Sequence, residues 1–72
     1  MKCKPGDIVQ EFSTLNDCKH HIIIERCPVP KSGFYKDYYN VYCLETNKFW
    51  DGIPIFDLNE TPMNNFFYIK VA

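Results

Sequence analysis

The chain has few of the residues from which nucleotide loops and catalytic centres are built. It contains three glycines in 72 residues, and neither GxxxxGK[ST] nor GxGxxG occurs, which argues against a phosphate-binding loop. Ser13 and Ser32 are not set in a nucleophile elbow. Asp51 and Asp57 are interpreted as solvated acids beside a tight turn, because so short a chain encloses little volume. We therefore predict a protein that is not an enzyme.

Long apolar runs are also missing. No stretch reaches the length of a signal peptide or of a membrane-spanning helix, so we predict a cytoplasmic protein that does not engage a membrane. Low-complexity segments and repeats are absent too, and 46% of the residues are hydrophobic. This composition predicts a single folded domain over residues 1–72 rather than a disordered chain.

The chain has little net charge. The formal value is −1 at pH 7, which offers no general attraction to a phosphate backbone, so a nucleic-acid partner is less favoured than a protein. The first half of the chain is weakly basic and the second half is acidic. If the two halves separate in space, they give the surface a dipole.

Paired cysteine motifs are missing as well. No two cysteines form a CxxC pair, and without a secretory signal we predict free thiols, with Cys43 filling core space. Cys18 and Cys27 with His20 and His21 do not match a usual zinc spacing, since adjacent strand residues face opposite sides of a sheet. We predict no metal and no cofactor. The four cysteines are Cys3, Cys18, Cys27 and Cys43.

Strands are the clearest positive signal. Residues Tyr38 to Leu44 combine aromatic and β-branched types and predict a central strand. The four residues from Glu45 to Lys48 then form the connection of a β-hairpin, because Asn47 tolerates a positive φ. The other predicted strands are Ile8 to Phe12, His20 to Cys27, Phe49 to Gly52 and Phe66 to Val71, with at most one helical turn within residues 57–62.

Alternation along these strands predicts which residues form the core. In the central strand we assign Tyr39, Val41 and Cys43 to the core face. Five short strands without a convincing helix must close into a small barrel or pack as two sheets to cover their apolar faces. The fold prediction is therefore all-β, a small five-stranded barrel. Its predicted shared core is Ile22, Ile24, Val41, Cys43, Phe67 and Ile69.

The order of these elements resembles a known group of proteins. The opening Lys4-Pro5-Gly6-Asp7-Ile8-Val9, the pair Tyr39-Asn40-Val41-Tyr42 and Phe49-Trp50, and the closing Phe67-Tyr68-Ile69-Lys70-Val71 resemble the small SH3-like barrel proteins common in bacteriophage genomes. The resemblance implies a fold and a source. It carries over no functional residues, because such proteins share no common activity.

Aromatic residues are in surplus. One tryptophan, five tyrosines and six phenylalanines exceed what so small a core holds, and clustered exposed rings are typical of protein interfaces. Alternatively, the connection over residues 28–37 covers these rings and forms a second small core. The candidate partner-binding residues are Tyr38, Tyr42, Trp50, Phe66, Tyr68, Phe34 and Tyr35, with Asp51 and Asp57 as acidic groups at the rim.

The function hypothesis is a non-enzymatic module that docks on a larger protein through an aromatic face. If the source is a phage, this hypothesis predicts that the protein inhibits or modulates a host enzyme or defence system in the host cytoplasm. One alternative is a nucleic-acid-associated barrel that stacks bases on surface rings while lysines such as Lys19 and Lys31 follow the phosphates. Another is a structural subunit of an assembly.

Overall fold

A computed structural model of the protein describes residues 1–13, 19–27, 37–60 and 66–72. Within these ranges all regular secondary structure is β-strand and no helix occurs, so the all-β prediction is confirmed. The strands are β1 (Ile8–Phe12), β2 (His20–Arg26), β3 (Tyr38–Cys43), β4 (Lys48–Pro54) and β5 (Phe67–Lys70).

The five strands form one antiparallel sheet in the order β4-β3-β2-β1-β5. The barrel prediction is not confirmed, because the sheet is open: β4 and β5 lie at its two edges and do not pair with each other. Their sequences fit edge positions. β5 has four residues, and β4 ends at Pro54, which has no N–H to donate to a further strand.

The predicted hairpin between β3 and β4 is confirmed, with its turn one residue earlier, at residues 44–47. Asn47 adopts a φ of 56°, a conformation that asparagine accepts more readily than most residues. Its N–H donates to the Cys43 carbonyl at 2.9 Å, which closes the turn. β4 runs past the predicted end at Gly52, because an irregularity in its pairing with β3 absorbs this glycine.

One side of the sheet, here called the inner face, carries the core. The N-terminal segment crosses it: the Tyr39 hydroxyl accepts from the Cys3 N–H at 2.7 Å and donates to the Met1 carbonyl at 3.1 Å. The Met1 ammonium in turn lies 3.1 Å from an Asp37 carboxylate oxygen. The buried core cluster consists of Val9, Ile23, Tyr39, Val41, Ile55, Phe56 and Tyr68.

Four predicted core residues lie elsewhere. Val41 and Cys43 are buried as predicted, but β2 and β5 face the opposite way from the prediction. Ile23 pairs with Val41 and is buried, whereas Ile24 is 40% exposed in a bulge. In β5, the buried residue is Tyr68. The displaced residues are Ile22, Ile24, Phe67 and Ile69. The cause is polar, because the inner face buries His21 of β2 with its partner Glu11 of β1, and Tyr68 of β5 lies opposite Glu11.

The prediction of four free cysteines is wrong. Cys43 is disulfide-bonded, and its partner lies outside the described residues. Cys3 and Cys27 are free. A buried cysteine on a central strand of a small domain is well placed for such a link, because a disulfide adds the stability that a small core cannot supply.

Several predictions fall on parts of the chain outside the described residues. These are the loop over residues 14–18, most of the connection over residues 28–36, and the end of the turn at residues 61–62. Within the turn, the Glu60 N–H donates to the Asp57 carbonyl at 3.1 Å, which forms one turn at residues 57–60. In the described ranges, the structure has no helix long and apolar enough to cross a membrane.

Candidate protein-docking face

The side of the sheet opposite the core is unusually apolar. Across four strands, Ile8 pairs with Ile22, Ile22 with Tyr42, and Tyr42 with Phe49, so their side chains form one row. On the other edge, Phe12 pairs with Phe67, and Ile69 lies opposite Gln10. We call this surface the apolar face and define it as Ile8, Phe12, Ile22, Tyr42, Phe49, Phe67 and Ile69.

Several of these side chains are in contact with water. Phe49 is 71% exposed, Ile69 45% and Phe12 37%, and the other members of the face are half-buried. An antiparallel sheet with one face on the core usually presents polar residues on the other face. Here the polar residues Gln10 and His20 only interrupt an apolar surface, which is the pattern of a binding surface rather than of a solvated one.

The rings of the apolar face are held in defined pairs. Phe12 and Phe67 stack with centroids 5.2 Å apart and an interplanar angle of 11°. Tyr42 and Phe49 meet edge to face at 4.9 Å, and the Tyr42 hydroxyl donates to Asn47 Oδ1 at 2.8 Å. Such pairing fixes the side chains before any partner arrives, which lowers the entropy cost of binding.

Acidic groups lie at one end of the apolar face. Glu25 and Asp51 are exposed, and both lie near Asn40, which organises this end of the sheet. Asn40 Nδ2 donates to Glu25 Oε1 at 3.0 Å, while Asn40 Oδ1 accepts from the Gly52 N–H at 2.9 Å and from the Cys27 thiol at 3.2 Å. This end of the face therefore presents two exposed carboxylates.

The opposite end carries a different set of charges. Glu45, in the hairpin turn, accepts from the backbone N–H groups of Lys19 at 2.9 Å and His20 at 2.8 Å. Its second oxygen lies 2.5 Å from His20 Nδ1. Hydrogen bonding from the His20 side chain lowers the pKa of Glu45 to about 2, although desolvation opposes this shift. Exposed Lys48 begins β4 at the same end, but it pairs with buried Cys43 and therefore faces the inner side of the sheet.

Of the predicted aromatic site residues that the structure describes, only Tyr42 belongs to the apolar face. Tyr38 and Tyr68 are buried at 4% and 3% exposure, which corrects the expectation that they remain outside the core. Trp50 points to the inner face, 5.3 Å from His21, and Phe66 packs against Phe56 at 5.4 Å. Tyr68 belongs to the core cluster together with Ile55 and Phe56, and Trp50 and Phe66 pack against that cluster.

The remaining predicted site residues fall into three groups. Asp51 is exposed at the acidic end of the apolar face. Asp57 is half-buried and accepts from the N–H groups of Asn59 at 2.9 Å and Glu60 at 3.1 Å, so it stabilises a turn away from the face. Phe34 and Tyr35 lie outside the described residues.

Sequence reasoning missed most of the apolar face, namely Ile8, Phe12, Ile22, Phe49, Phe67 and Ile69. A signal existed for Phe49, because a hairpin places it beside Tyr42 on the same side of the sheet. Alternation also places Ile8 and Phe12 on the same side of β1, but two apolar residues on one side fit a core face equally well.

A second polar cluster lies inside the core. His21 Nε2 lies 3.0 Å from Glu11 Oε1, and both side chains have zero exposure. Tyr68 lies opposite Glu11 in the sheet, and its hydroxyl hydrogen-bonds to that carboxylate. Burial, followed by the charge of Glu11 and this hydrogen bond, raises the pKa of Tyr68. The cluster has no access to a substrate, so its effect is to join β1, β2 and β5.

The two histidines face opposite sides of the sheet, as alternation predicts: His21 is buried on the inner face and His20 bonds to Glu45 at the other. Across the described ranges, the structure brings together no group of three or more His, Cys, Asp or Glu side chains suited to hold a metal ion.

The fold and the site define a small all-β domain with one face committed to its core and the other face open and apolar. Comparison of the chain with known protein families, with curated proteins and with solved structures found no match.

Proposed function

We propose that this protein is a non-enzymatic binding module that docks on another protein through the apolar face. The observation that supports this proposal most directly is Phe49, a large ring that is 71% exposed on the edge strand β4, at the end of the apolar row that crosses four strands. Exposed rings in fixed positions supply large apolar area at low entropy cost, which is the usual basis of protein interfaces.

The charges around the face specify the chemistry of the partner. Glu25 and Asp51 lie exposed at one end, so a complementary partner has an apolar patch with lysine or arginine side chains beside that end. The apolar contact supplies most of the affinity in this proposal. The charged contacts supply orientation and a faster association rate.

The resemblance to small SH3-like phage proteins suggests the biological form of this module. In that form the protein acts in a host cytoplasm and blocks or alters a larger host enzyme or defence complex by occupying its surface. The five-stranded order of the sheet is compatible with an SH3-like domain, which is the finer fold assignment that we propose.

A matched pair of variants tests the proposal. Phe49→Ser removes the exposed ring from the apolar face, and Leu58→Ser removes a comparably exposed residue, at 56%, from the turn after β4. A protein captured from host lysate and identified by mass spectrometry is purified, and its Kd is measured against both variants. We expect Phe49→Ser to weaken binding by roughly tenfold or more, as loss of an aromatic anchor does, and Leu58→Ser to leave it unchanged.

Equal effects of the two variants would contradict docking through the apolar face. The nucleic-acid alternative is tested with a single-stranded oligo(dT) probe over a range of salt concentrations. Tight capture that falls steeply with added salt would favour that alternative, because phosphate contacts release counterions whereas an apolar protein contact changes little.

A further inference from the structure

We infer that the partner contacts this domain with an extended segment, which pairs antiparallel with the outer edge of β4 and continues the sheet. This inference rests on the proposed function, because the ring of Phe49 belongs to both surfaces. It goes further by naming the form of the contact and its sequence chemistry: a basic residue, one intervening residue and then an apolar residue, read from the amino end of the segment.

The register of the sheet fixes which backbone groups of β4 point outward. Successive residues of an antiparallel strand direct their hydrogen bonds to opposite neighbours. The Leu44 N–H donates to the His20 carbonyl of β2 at 2.9 Å, so Tyr42, two residues earlier, also bonds toward β2. Phe49 lies opposite Tyr42 in β4, and this pair therefore forms no hydrogen bonds between β3 and β4. The N–H and carbonyl of Phe49 point to the outer edge, as do those of Asp51 two residues further on.

The two edges of the sheet differ in what covers them. At β5, the Tyr68 N–H donates to the Phe56 carbonyl at 2.9 Å, so the protein's own backbone occupies part of that edge. Within the described ranges, no strand lies beyond β4. An extended segment is the form of partner that pairs with the outward N–H and carbonyl groups of an edge strand. β4 is therefore the edge to which a further strand adds.

The open stretch of the β4 edge is short. Beyond Asp51, the Gly52 N–H already donates to Asn40 Oδ1 at 2.9 Å, and Pro54 has no N–H. Pairing is therefore limited to the stretch around Phe49 and Asp51, which fits a segment of about three to five residues. Pro54 also keeps longer strands from pairing along the whole edge.

The side chains beside the open stretch specify the segment. Phe49, 71% exposed, and Asp51, also exposed, lie on the side of the apolar face. Residues two apart in a paired strand face the same side, so one side chain of the segment lies beside the Phe49 ring and another beside the Asp51 carboxylate. Cross-strand pairing favours an apolar side chain at the first position and lysine or arginine at the second. Because the segment is antiparallel to β4, its basic residue comes first.

A second copy of this chain does not supply that segment. Two β4 edges pair through residues whose backbone points outward, so Asp51 would lie opposite Phe49 or Asp51 of the second copy. Lys48 does not reach this contact, because it pairs with buried Cys43 and faces the inner side of the sheet. Neither two carboxylates nor a carboxylate against a ring is a favourable cross-strand pair. The chemistry of the edge therefore fits a basic segment of another protein.

Backbone amide exchange, followed by NMR, tests the inference with a probe peptide of sequence acetyl-Thr-Lys-Thr-Phe-Thr-amide. At a peptide concentration about ten times its Kd, we expect exchange of the Phe49 and Asp51 amides to slow by about tenfold. The Trp50 amide, which bonds toward β3, is the internal control and keeps its rate. A peptide with glutamate in place of lysine binds about threefold to tenfold more weakly, and Asp51→Asn removes this difference while keeping the amide.

N-methylated peptides separate backbone pairing from side-chain contact. A methyl group on the lysine or the phenylalanine nitrogen of the peptide removes a hydrogen bond to β4 and weakens binding by about tenfold. The same group on the nitrogen of the threonine between them, which faces away from β4, leaves the Kd unchanged.

Three results would overturn strand addition at β4. One is exchange of the Phe49 and Asp51 amides that stays fast with about 10 mM peptide, and another is equal weakening by methylation at all three nitrogens. The third is protection of these amides in the free protein that grows with protein concentration, which would identify a second copy as the occupant. None of these removes the proposed function, which fails separately if a captured and purified partner binds wild type and Phe49→Ser with equal Kd.

Discussion

Tyr68→Phe is the sharpest test of the polar cluster in the core. The substitution keeps the ring, so it leaves no cavity. The centroid of this ring lies 5.4 Å from that of Phe56, 5.9 Å from that of Phe66 and 5.8 Å from that of His21. It removes only the hydroxyl that hydrogen-bonds to the buried carboxylate of Glu11. A hydrogen bond to a charged group contributes about 1.5 to 3 kcal/mol, and we expect the free energy of unfolding to fall by about 2 kcal/mol near pH 8.

The same variant has a distinctive pH dependence. The pKa of Tyr68 is raised in the folded protein by burial and by the neighbouring charge of Glu11, whereas in the unfolded chain it is about 10. Above pH 10 the unfolded wild type therefore binds fewer protons than the folded one, and stability falls as pH rises. At pH 11 this loss is about 1.4 kcal/mol for a single group. The Tyr68→Phe variant does not show this loss of stability.

We expect the difference in free energy of unfolding between wild type and Tyr68→Phe to narrow from about 2 kcal/mol at pH 8 to less than 1 kcal/mol at pH 11. Urea unfolding followed by circular dichroism at both pH values measures the difference, and the other tyrosines contribute equally to both proteins. A difference below about 0.5 kcal/mol at pH 8, or one that stays constant up to pH 11, would contradict a stabilising hydrogen bond from Tyr68 to Glu11.

Two further predictions concern the cysteines and the hairpin turn. Thiol titration of the unfolded, unreduced protein should detect Cys3 and Cys27 but not Cys43, and reduction should lower the free energy of unfolding by about 2 to 4 kcal/mol; reactivity of Cys43 without reductant would contradict the disulfide. The pKa of Glu45 is lowered in the folded protein, so ionised Glu45 stabilises the fold. This stabilisation is fully present above the unfolded pKa of the group and is lost as the pH falls to about 2. Because the Glu45 side chain is 35% exposed, we expect Glu45→Gln to lower the free energy of unfolding by only about 0.5 to 1 kcal/mol at neutral pH. Thermal melts in acid should show no difference between the variant and wild type. A difference that persists in acid would show another cause.

The strands and the hairpin could be predicted from the sequence because their signals are local. β1 has the predicted bounds, and the alternation of Tyr39, Val41 and Cys43 identifies the core side of β3. In these segments, β-branched and aromatic residues outweigh every other preference, and asparagine marks the turn.

The facing of β2 and β5 could not be predicted in the same way. Three consecutive isoleucines in β2 fit either face equally, so the choice depends on residues far away in the chain. Glu11 and His21 are buried because each satisfies the other across two strands, and Tyr68 is buried because its hydroxyl reaches the same carboxylate. A polar residue with a distant partner appears solvent-exposed when only its own strand is considered.

This error explains why the candidate site was only partly anticipated. Once Tyr68 and Trp50 are placed inside, the surplus of aromatic residues that suggested an interface is reduced. The side chains that remain exposed lie on the side of the sheet opposite the core, chiefly Phe12, Phe49 and Ile69. The prediction of an exposed aromatic surface stays a prediction about function, now attached to a defined set of residues.

The most direct measurement of docking through the apolar face is hydroxyl-radical footprinting of the protein alone, at a concentration where it is monomeric, and bound to its purified partner. We expect oxidation of Phe12 and Phe49 to fall severalfold in the complex, because a docked surface excludes water. Leu58, which is 56% exposed outside that face, should be oxidised equally in both states. Protection of Leu58 with Phe12 and Phe49 still fully reactive would contradict docking through the apolar face.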